Sequence, residues 1–357
     1  MPESAEMQIE SFDSREATDA QLGAVFEVWS EWEGQDFPED SPHVFEEVVA
    51  EYRHLPPYKR VNFWVARLGG RPAGYGLLKL RSVSANNEKA GFEVAVASGL
   101  RRRGIAAVLL APMVEAALAA GRGLMETFAY EGSEGAASLG AVGARKGLVE
   151  RLSRLLVDEV DERLLHDWVE RAGQRASDYR LEFWEGRCPP GLLARLARIK
   201  DVMNTAPTGD LVWENEATSP EQLEAKETSW EAGGYQWWTL CAVHAQSGDI
   251  AGFTQLLFPP YRAGRIMQED TAVEPAHRNR GLGRWMKADM ILRLRASRPE
   301  ARSIDTWNAE LNDPMLSINR ALGFKAIKEI GDWQIPTADL GWAVKARLGR
   351  RGGGLPG

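Results

Sequence analysis

The chain has 357 residues, 44% hydrophobic and 26% charged, which is enough to build two cores without cross-links. Its 51 acidic against 43 basic residues give a formal net charge of −8, which disfavours a general nucleic-acid binder. The two cysteines, Cys188 and Cys241, are too few for a disulfide framework or a zinc cage, and no run approaches ~18 uninterrupted apolar residues.

In chain order, a short strand is expected at Met7–Phe12, then helices over Asp19–Trp32 and Pro42–Tyr52, the second opening on Ser41-Pro42. Two strands follow around the turn Leu68-Gly-Gly-Arg-Pro72, and a third leads into a glycine-containing loop. The helix Ile105–Ala120 comes next, with Pro112 predicting a kink, and then the strand Gly123–Tyr130. Asp158–Ser177 is charged and reads as a helical linker. The order then starts again: strand Tyr179–Trp184, helices Pro190–Met203 and Ser219–Trp230, strands around Gln246-Ser-Gly-Asp249, helix Leu282–Ala296 and strand Ser303–Trp307. The glycine-rich end cannot bury a core and is expected to be disordered.

The second half repeats the first. Val96-Ala-Ser-Gly-Leu-Arg101-Arg-Arg-Gly104-Ile-Ala106 matches Val273-Glu-Pro-Ala-His-Arg278-Asn-Arg-Gly281-Leu-Gly283 at an offset of 177 residues, and Gly74 matches Gly252 at 178. Phe63-Trp-Val-Ala66 likewise answers to Trp238-Thr-Leu-Cys-Ala242. Two copies of one α/β domain account for this, with expected boundaries at 1–157 and 178–345, a linker at 158–177 and a tail at 346–357.

The repeated loop carries the chemistry. Between a strand and a helix, Arg-x-x-Gly-x-Gly/Ala permits positive φ at Gly104 and Gly281 and lets loop amides converge at a helix N-terminus, an anion site suited to a pyrophosphate. Arg101 and Arg103, or Arg278 and Arg280, add fixed charge beside it. The spacing is neither G-x-G-x-x-G nor a Walker loop.

Val-x-Pro-x-x-Arg-x-x-Gly-x-Gly at 273–283 resembles the acetyl-coenzyme A loop of the GNAT acetyltransferase superfamily. Thr306-Trp-Asn308-Ala-Glu-Leu-Asn312-Asp-Pro-Met315 and Asn319-Arg-Ala-Leu322-Gly323-Phe324 resemble that superfamily's second cofactor motif. The resemblance covers nearly the whole chain, once per copy, and implies a tandem GNAT protein with a splayed sheet. It implies acetyl-coenzyme A as cofactor, held by Thr271, Ala272, Val273, Arg278, Asn279, Arg280, Gly281, Leu282 and Gly283 with Asn308 and Asn312. In the first copy the corresponding residues are Arg101, Arg103, Gly104 and Ala106. There Ala136 and Gly143 fall where Asn312 and Asn319 stand, so polar groups for the pantetheine arm are missing and turnover is expected in the second copy.

Acetyl transfer to a lysine-like amine of pKa ~10.4 costs about 4–5 kcal/mol for the free base at pH 7. Glu269 and Asp270 are the nearest base candidates. Side chains alternate along a regular strand, so one of the two would face the acceptor. Glu269, on the face of Thr271, is preferred unless a bulge reverses the choice. Two positions depart from the family pattern: Asn319 stands where many members have a thiolate-protonating Tyr, and Met267 where many have a Glu. Tyr235 and Tyr261 are alternative proton donors and His244 an alternative base, and His277 reads as a phosphate-side or capping residue. The expected protein is a cytoplasmic monomer or homodimer acetylating a small-molecule primary amine by direct attack, with no metal and no nucleic-acid or membrane partner. The alternative is a non-catalytic acyl-coenzyme A binder.

Overall fold

The computed structural model describes residues 6–82, 85–262 and 264–352. The first copy runs β1 (Met7–Asp13), α1 (Asp19–Asp36), α2 (Phe45–Arg53), β2 (Lys59–Leu68), β3 (Arg71–Arg81), β4 (Lys89–Val96), α3 (Ile105–Ala119), β5 (Leu124–Tyr130), α4 (Glu134–Ala141), β6 (Arg145–Leu156) and α5 (Glu162–Arg175). The second runs β7 (Tyr179–Glu185), α6 (Pro190–Lys200), α7 (Pro220–Ala232), β8 (Gln236–His244), β9 (Ile250–Phe258), β10 (Arg265–Val273), α8 (Leu282–Ser297), β11 (Ser303–Ala309), α9 (Asp313–Leu322), β12 (Lys325–Pro336) and α10 (Thr337–Gly352). The order of elements is the same in both.

Local chemistry explains most boundaries. Thr18 and Ser219 cap α1 and α7 with reciprocal bonds to Gln21 and Gln222. The expected helix start at Ser41-Pro42 is not used. α2 begins three residues later, after Val44, and Glu47 returns a bond to the Val44 N–H in place of a hydroxyl cap. Pro112 sits inside α3, which continues to Ala119. The segment expected as a linker carries α5, a packed element that answers to α10 at the end of the second copy. The tail expected from residue 346 is helical in α10 as far as Gly352, and residues 353–357 lie outside the described residues.

The chain forms two compact units whose membership does not follow the copies. Unit 1 holds residues 1–147, 210–213 and 331–357; unit 2 holds 148–209 and 214–330. In unit 1 the strand order is β1-β2-β3-β4-β5, with the later half of β12 beside β5. In unit 2 it is β7-β8-β9-β10-β11, with most of β6 beside β11. Each copy's last strand and helix therefore complete the other copy's unit. α10 packs on α3 in unit 1, and α5 packs on α8 in unit 2. The two units are therefore not divided at residues 157 and 178.

Each unit has an apolar layer on both sheet faces. In unit 1 one layer gathers Leu78, Phe92, Leu109 and Met113 with Ile335 and Leu340, and the other packs Leu22, Val25 and Val48 on Phe63 and Tyr75. In unit 2 they gather Trp168, Trp238, Met286 and Ile291 on one face and Leu196, Ile199, Cys241 and Phe253 on the other.

Two glycines at matching positions show why the repeat is legible. A Cβ at Gly74 would stand 2.8 Å from Ala95 O, and one at Gly252 would stand 2.8 Å from Ala272 O and 3.0 Å from Met286 Cε. The helix after the loop lies so close to the sheet that a side chain has no room. Gly252→Ala should cost roughly 1–3 kcal/mol through overpacking, read as a lower urea midpoint. Gly173→Ala, in α5 with nothing within 4 Å of a Cβ, should instead stabilise by about 0.4–1 kcal/mol.

Candidate active site

The site begins where two parallel strands part. β10 pairs with β11 over Arg265–Met267 and Ser303–Asp305 and no further, although β10 runs to Val273 and β11 to Ala309. Unit 1 shows the same fork: β4 and β5 pair over Lys89–Gly91 and Leu124–Glu126, then separate. Past the fork, the main-chain groups along the facing edges have no strand partner among the described residues, so the fork can receive an extended ligand with amide groups of its own.

In unit 2 the root of the fork is clamped. Asp305, fully buried, receives Arg154 Nε and one terminal Nη at 2.7 and 2.8 Å from β6 and Arg265 Nε at 2.9 Å from β10. One carboxylate thus ties three strands.

The loop at the open end is built alike in both units. Gly104 and Gly281 take φ of 82° and 84° as the residues before α3 and α8, and Arg102 and Asn279 take 63° and 64°. The first arginine of each motif folds back on the strand: Arg278 Nε donates to Val273 O at 3.0 Å and Arg101 Nε to Val96 O at 3.3 Å. Arg278 also reaches Thr205 Oγ1, and Arg101 reaches Gln35 Oε1. These two arginines brace the loop, and Arg280 in one unit and Arg102 and Arg103 in the other are exposed. Among the described residues the backbone N–H groups of Asn279 to Gly283 have no protein acceptor. Together with the dipole of the sixteen-residue α8, that donor set fits a pyrophosphate. A Cβ at Gly283 would meet Ile318 Cδ1 at 3.5 Å, an ordinary contact, which is why Ala106 serves at the matching place. His277 bonds Tyr179 Oη through Nδ1 at 2.7 Å, and His244 stands beside both rings, so these histidines secure the loop against β7.

The two units differ at the strand before the loop. β4 pairs with β3 in unbroken register, whereas in β10 three steps from Gln268 to Thr271 face two on β9. This bulge removes the alternation expected for Glu269 and Asp270. Both point to the α6–α7 face: Glu269 meets Lys226 Nζ at 3.4 Å, and Asp270 meets the buried Lys200 at 3.2 Å. Burial pushes the Asp270 carboxyl up, but Lys200 and Lys226 outweigh it and hold it below its ordinary value. Burial in turn lowers Lys200, against the pull of Asp270.

On the opposite face, Gln268, Thr271 and Val273 turn toward α8. Thr271 Oγ1 lies 2.7 Å from Thr254 Oγ1, and Gln268 Nε2 donates to Thr254 and to Gln255 O. Asn319, 2% exposed, donates to Asn308 Oδ1 at 2.7 Å and accepts from Lys287 Nζ at 3.1 Å. Asn312 caps α9 at Met315 N. Tyr235 sits at the turn before β8 and Tyr261 is exposed. Lys287 was missed by the sequence reading. It shares a helix face with Met290, Ile291 and Leu294, all buried, and a lysine on that stripe was the available signal.

Residues 26–139, about a third of the chain and all in the first copy, match the model of the Acetyltransferase (GNAT) family. A tandem GNAT protein from the clavulanic acid biosynthesis pathway superposes with a TM-score of 0.77 at 23% identity, covering 93% of this chain and 99% of its own. A GCN5-related N-acetyltransferase from Sphaerobacter thermophilus gives 0.63 at 15%, covering 92% and 96%. The fold is a repeated GNAT acetyltransferase fold. A glucosamine N-acetyltransferase region of a fungal multi-domain GH3 β-N-acetylglucosaminidase gives 0.63 at 14%, covering 93% of this chain and 38% of that one. No curated protein matches the chain by sequence. No helix among the described residues is long and apolar enough to cross a membrane.

Two stability tests follow. Asp305→Ala removes the carboxylate that Arg154 and Arg265 share and should cost about 3–5 kcal/mol by urea unfolding. Burial pushes Lys287 down to about 7. Between there and its unfolded value of ~10.4 the unfolded chain binds the extra proton, so wild-type stability should rise with pH. Relative to Lys287→Met, which cannot titrate, the wild type should gain about 2–3 kcal/mol between pH 7 and pH 9.

Proposed function

We propose that this chain is an acetyl-coenzyme A-dependent N-acetyltransferase that acetylates a primary amine of a small molecule by direct attack, with turnover in unit 2. The bulge at Glu269 and Asp270 carries the reading: it brings two carboxylates onto one face at the root of a fork, and β4 has no equivalent. The cofactor supplies an activated acetyl group. The amides of Asn279–Gly283 hold its pyrophosphate, with Arg280 adding charge. The fork-facing main chain of β10 at Thr271–Val273 orients the arm and aligns the carbonyl oxygen, with Asn308 facing it from β11.

The amine must lose a proton. Asp270, held below its ordinary value between Lys200 and Lys226, is a poor base and a good anchor for Lys200. Glu269, on a single long contact to Lys226, is the base, directly or through water. Direct attack is favoured over an acyl-enzyme because neither cysteine is poised as a nucleophile. Both are buried, with burial pushing Cys188 up to about 12 and Cys241 higher still.

Unit 1 has the loop and the fork without the bulge, and its role is cofactor binding or support without turnover. A second reading, acyl-coenzyme A binding without turnover in either unit, is favoured by the ion pairing of both candidate bases.

Coenzyme A release against a panel of amines separates the readings: release supports the enzyme, while tight binding with no release from any amine supports the binder. Gly281→Glu should abolish calorimetric binding of acetyl-coenzyme A in unit 2, and any stoichiometry that survives should vanish in the double variant with Gly104→Glu. Glu269→Gln should lower the acetylation rate near neutral pH by ~10²–10⁴-fold, and the loss should shrink as pH approaches the amine's own pKa. Unchanged pH–rate profiles in both Glu269→Gln and Asp270→Asn would remove both acids from the role.

A further inference from the structure

Unit 2 holds several cations buried or half-buried in and around the sheet. Arg154 and Arg265 share Asp305, and Lys200 has Asp270. Lys287 differs. It is 2% exposed, and the partners of its Nζ are two neutral amide oxygens, Asn319 Oδ1 at 3.1 Å from α9 and Gln268 Oε1 at 3.5 Å from β10, with the Phe324 ring 5.5 Å away. Burial is what shifts it, and no carboxylate acts on it among the described residues. An ammonium buried without an acid is costly unless an anion arrives or forms beside it.

Its position says which anion. Gln268 is the first residue of β10 past the last pair with β11, and Asn319 passes the contact on to Asn308 on β11. Gln268, Lys287, Asn319 and Asn308 thus form one polar chain linking the two prongs close to the root of the fork. The pyrophosphate loop follows Val273 at the other end, five residues along the strand, roughly 15 Å at about 3.3 Å per residue with allowance for the bulge. A cofactor whose phosphates lie on the loop and whose arm runs down the fork brings its sulfur to the chain's root end.

We propose that Lys287 is the catalytic acid that protonates the departing thiolate of coenzyme A, with Gln268 and Asn319 holding its ammonium in place. This rests on the reading that the unit 2 fork receives acetyl-coenzyme A. As the amine nitrogen bonds to the acetyl carbon, the carbon–sulfur bond breaks and its electron pair goes to sulfur. Lys287 gives sulfur a proton, and the proton lost by nitrogen leaves on the Glu269 side. Lys287 then regains a proton from solvent. Until the proton moves, the ammonium beside sulfur favours the thiolate over the thiol, as an opposite charge within ~4–6 Å does. Asn319, a weak proton donor, then needs no acidic role.

The test reads sulfur directly and needs no turnover. Coenzyme A carrying ¹³C at the carbon that bears the thiol is titrated by NMR while bound to the wild type, to Lys287→Met and to Lys287→Gln. Cofactor should bind all three, with the thiol in the wild type ionising at least one pH unit lower than in either variant, a tenfold change in its acidity. If the Met variant does not fold, the Gln variant, which keeps a polar contact without a titratable proton, carries the comparison. Binding with the same sulfur titration in wild type and variants overturns the role of Lys287 and leaves the proposed function standing. Failure of coenzyme A to bind the wild type overturns both.

Discussion

Two parallel strands that hydrogen-bond for three residues and then diverge impose the main constraint on each unit. Divergence leaves main-chain donors and acceptors facing a gap, and such groups must find partners. The divergence has to be held against closure. In unit 2 that falls to Asp305, whose two oxygens gather guanidinium groups from both neighbouring strands at the last paired position. Above it, Gly252 lets α8 lie close to the sheet, so the helix delivers its N-terminal amides to the open end of the gap. The loop, the bulge and the buried lysine are arranged around that opening.

The parts of the fold legible in the sequence were those fixed by a backbone requirement at a single residue. Gly74 and Gly252 mark a close approach, and Gly104 and Gly281 mark positive φ, so they recur at almost one offset and reveal the duplication. Caps with a polar side chain, such as Ser219, were readable for the same reason, whereas α2 begins after Val44 and gave no such signal. The exchange of final strands was not legible. β6 and β12 have the composition of ordinary edge-to-centre strands, and nothing local in either says whether its partner is near or far along the chain.

The site was half legible. The loop could be placed because its chemistry is that of the main chain, and the glycines announce it. Its side chains were harder to place. Arg278 and Arg101 read from the sequence as charge beside the phosphates, and that each also ties the loop to its strand was not legible, because it depends on a guanidinium folding back to a carbonyl five residues earlier. Glu269 and Asp270 were placed on opposite faces by strict alternation, and a one-residue bulge puts them on the same face. The contact from Asn319 to Lys287 joins residues 32 apart and depends on how α9 settles against α8, which no periodicity in either helix reports.

The exchange of β6–α5 and β12–α10 sets an order of events during synthesis. When β5 leaves the ribosome, the strand that will cover its open edge lies roughly two hundred residues downstream, so at ~5–20 residues per second unit 1 waits about 10–40 s for it. Unit 2 has no such delay, because β6 is made before β11. The earlier half of the sequence therefore belongs to the unit that finishes later. Through that interval the uncovered edge of β5 is a template for pairing with other chains.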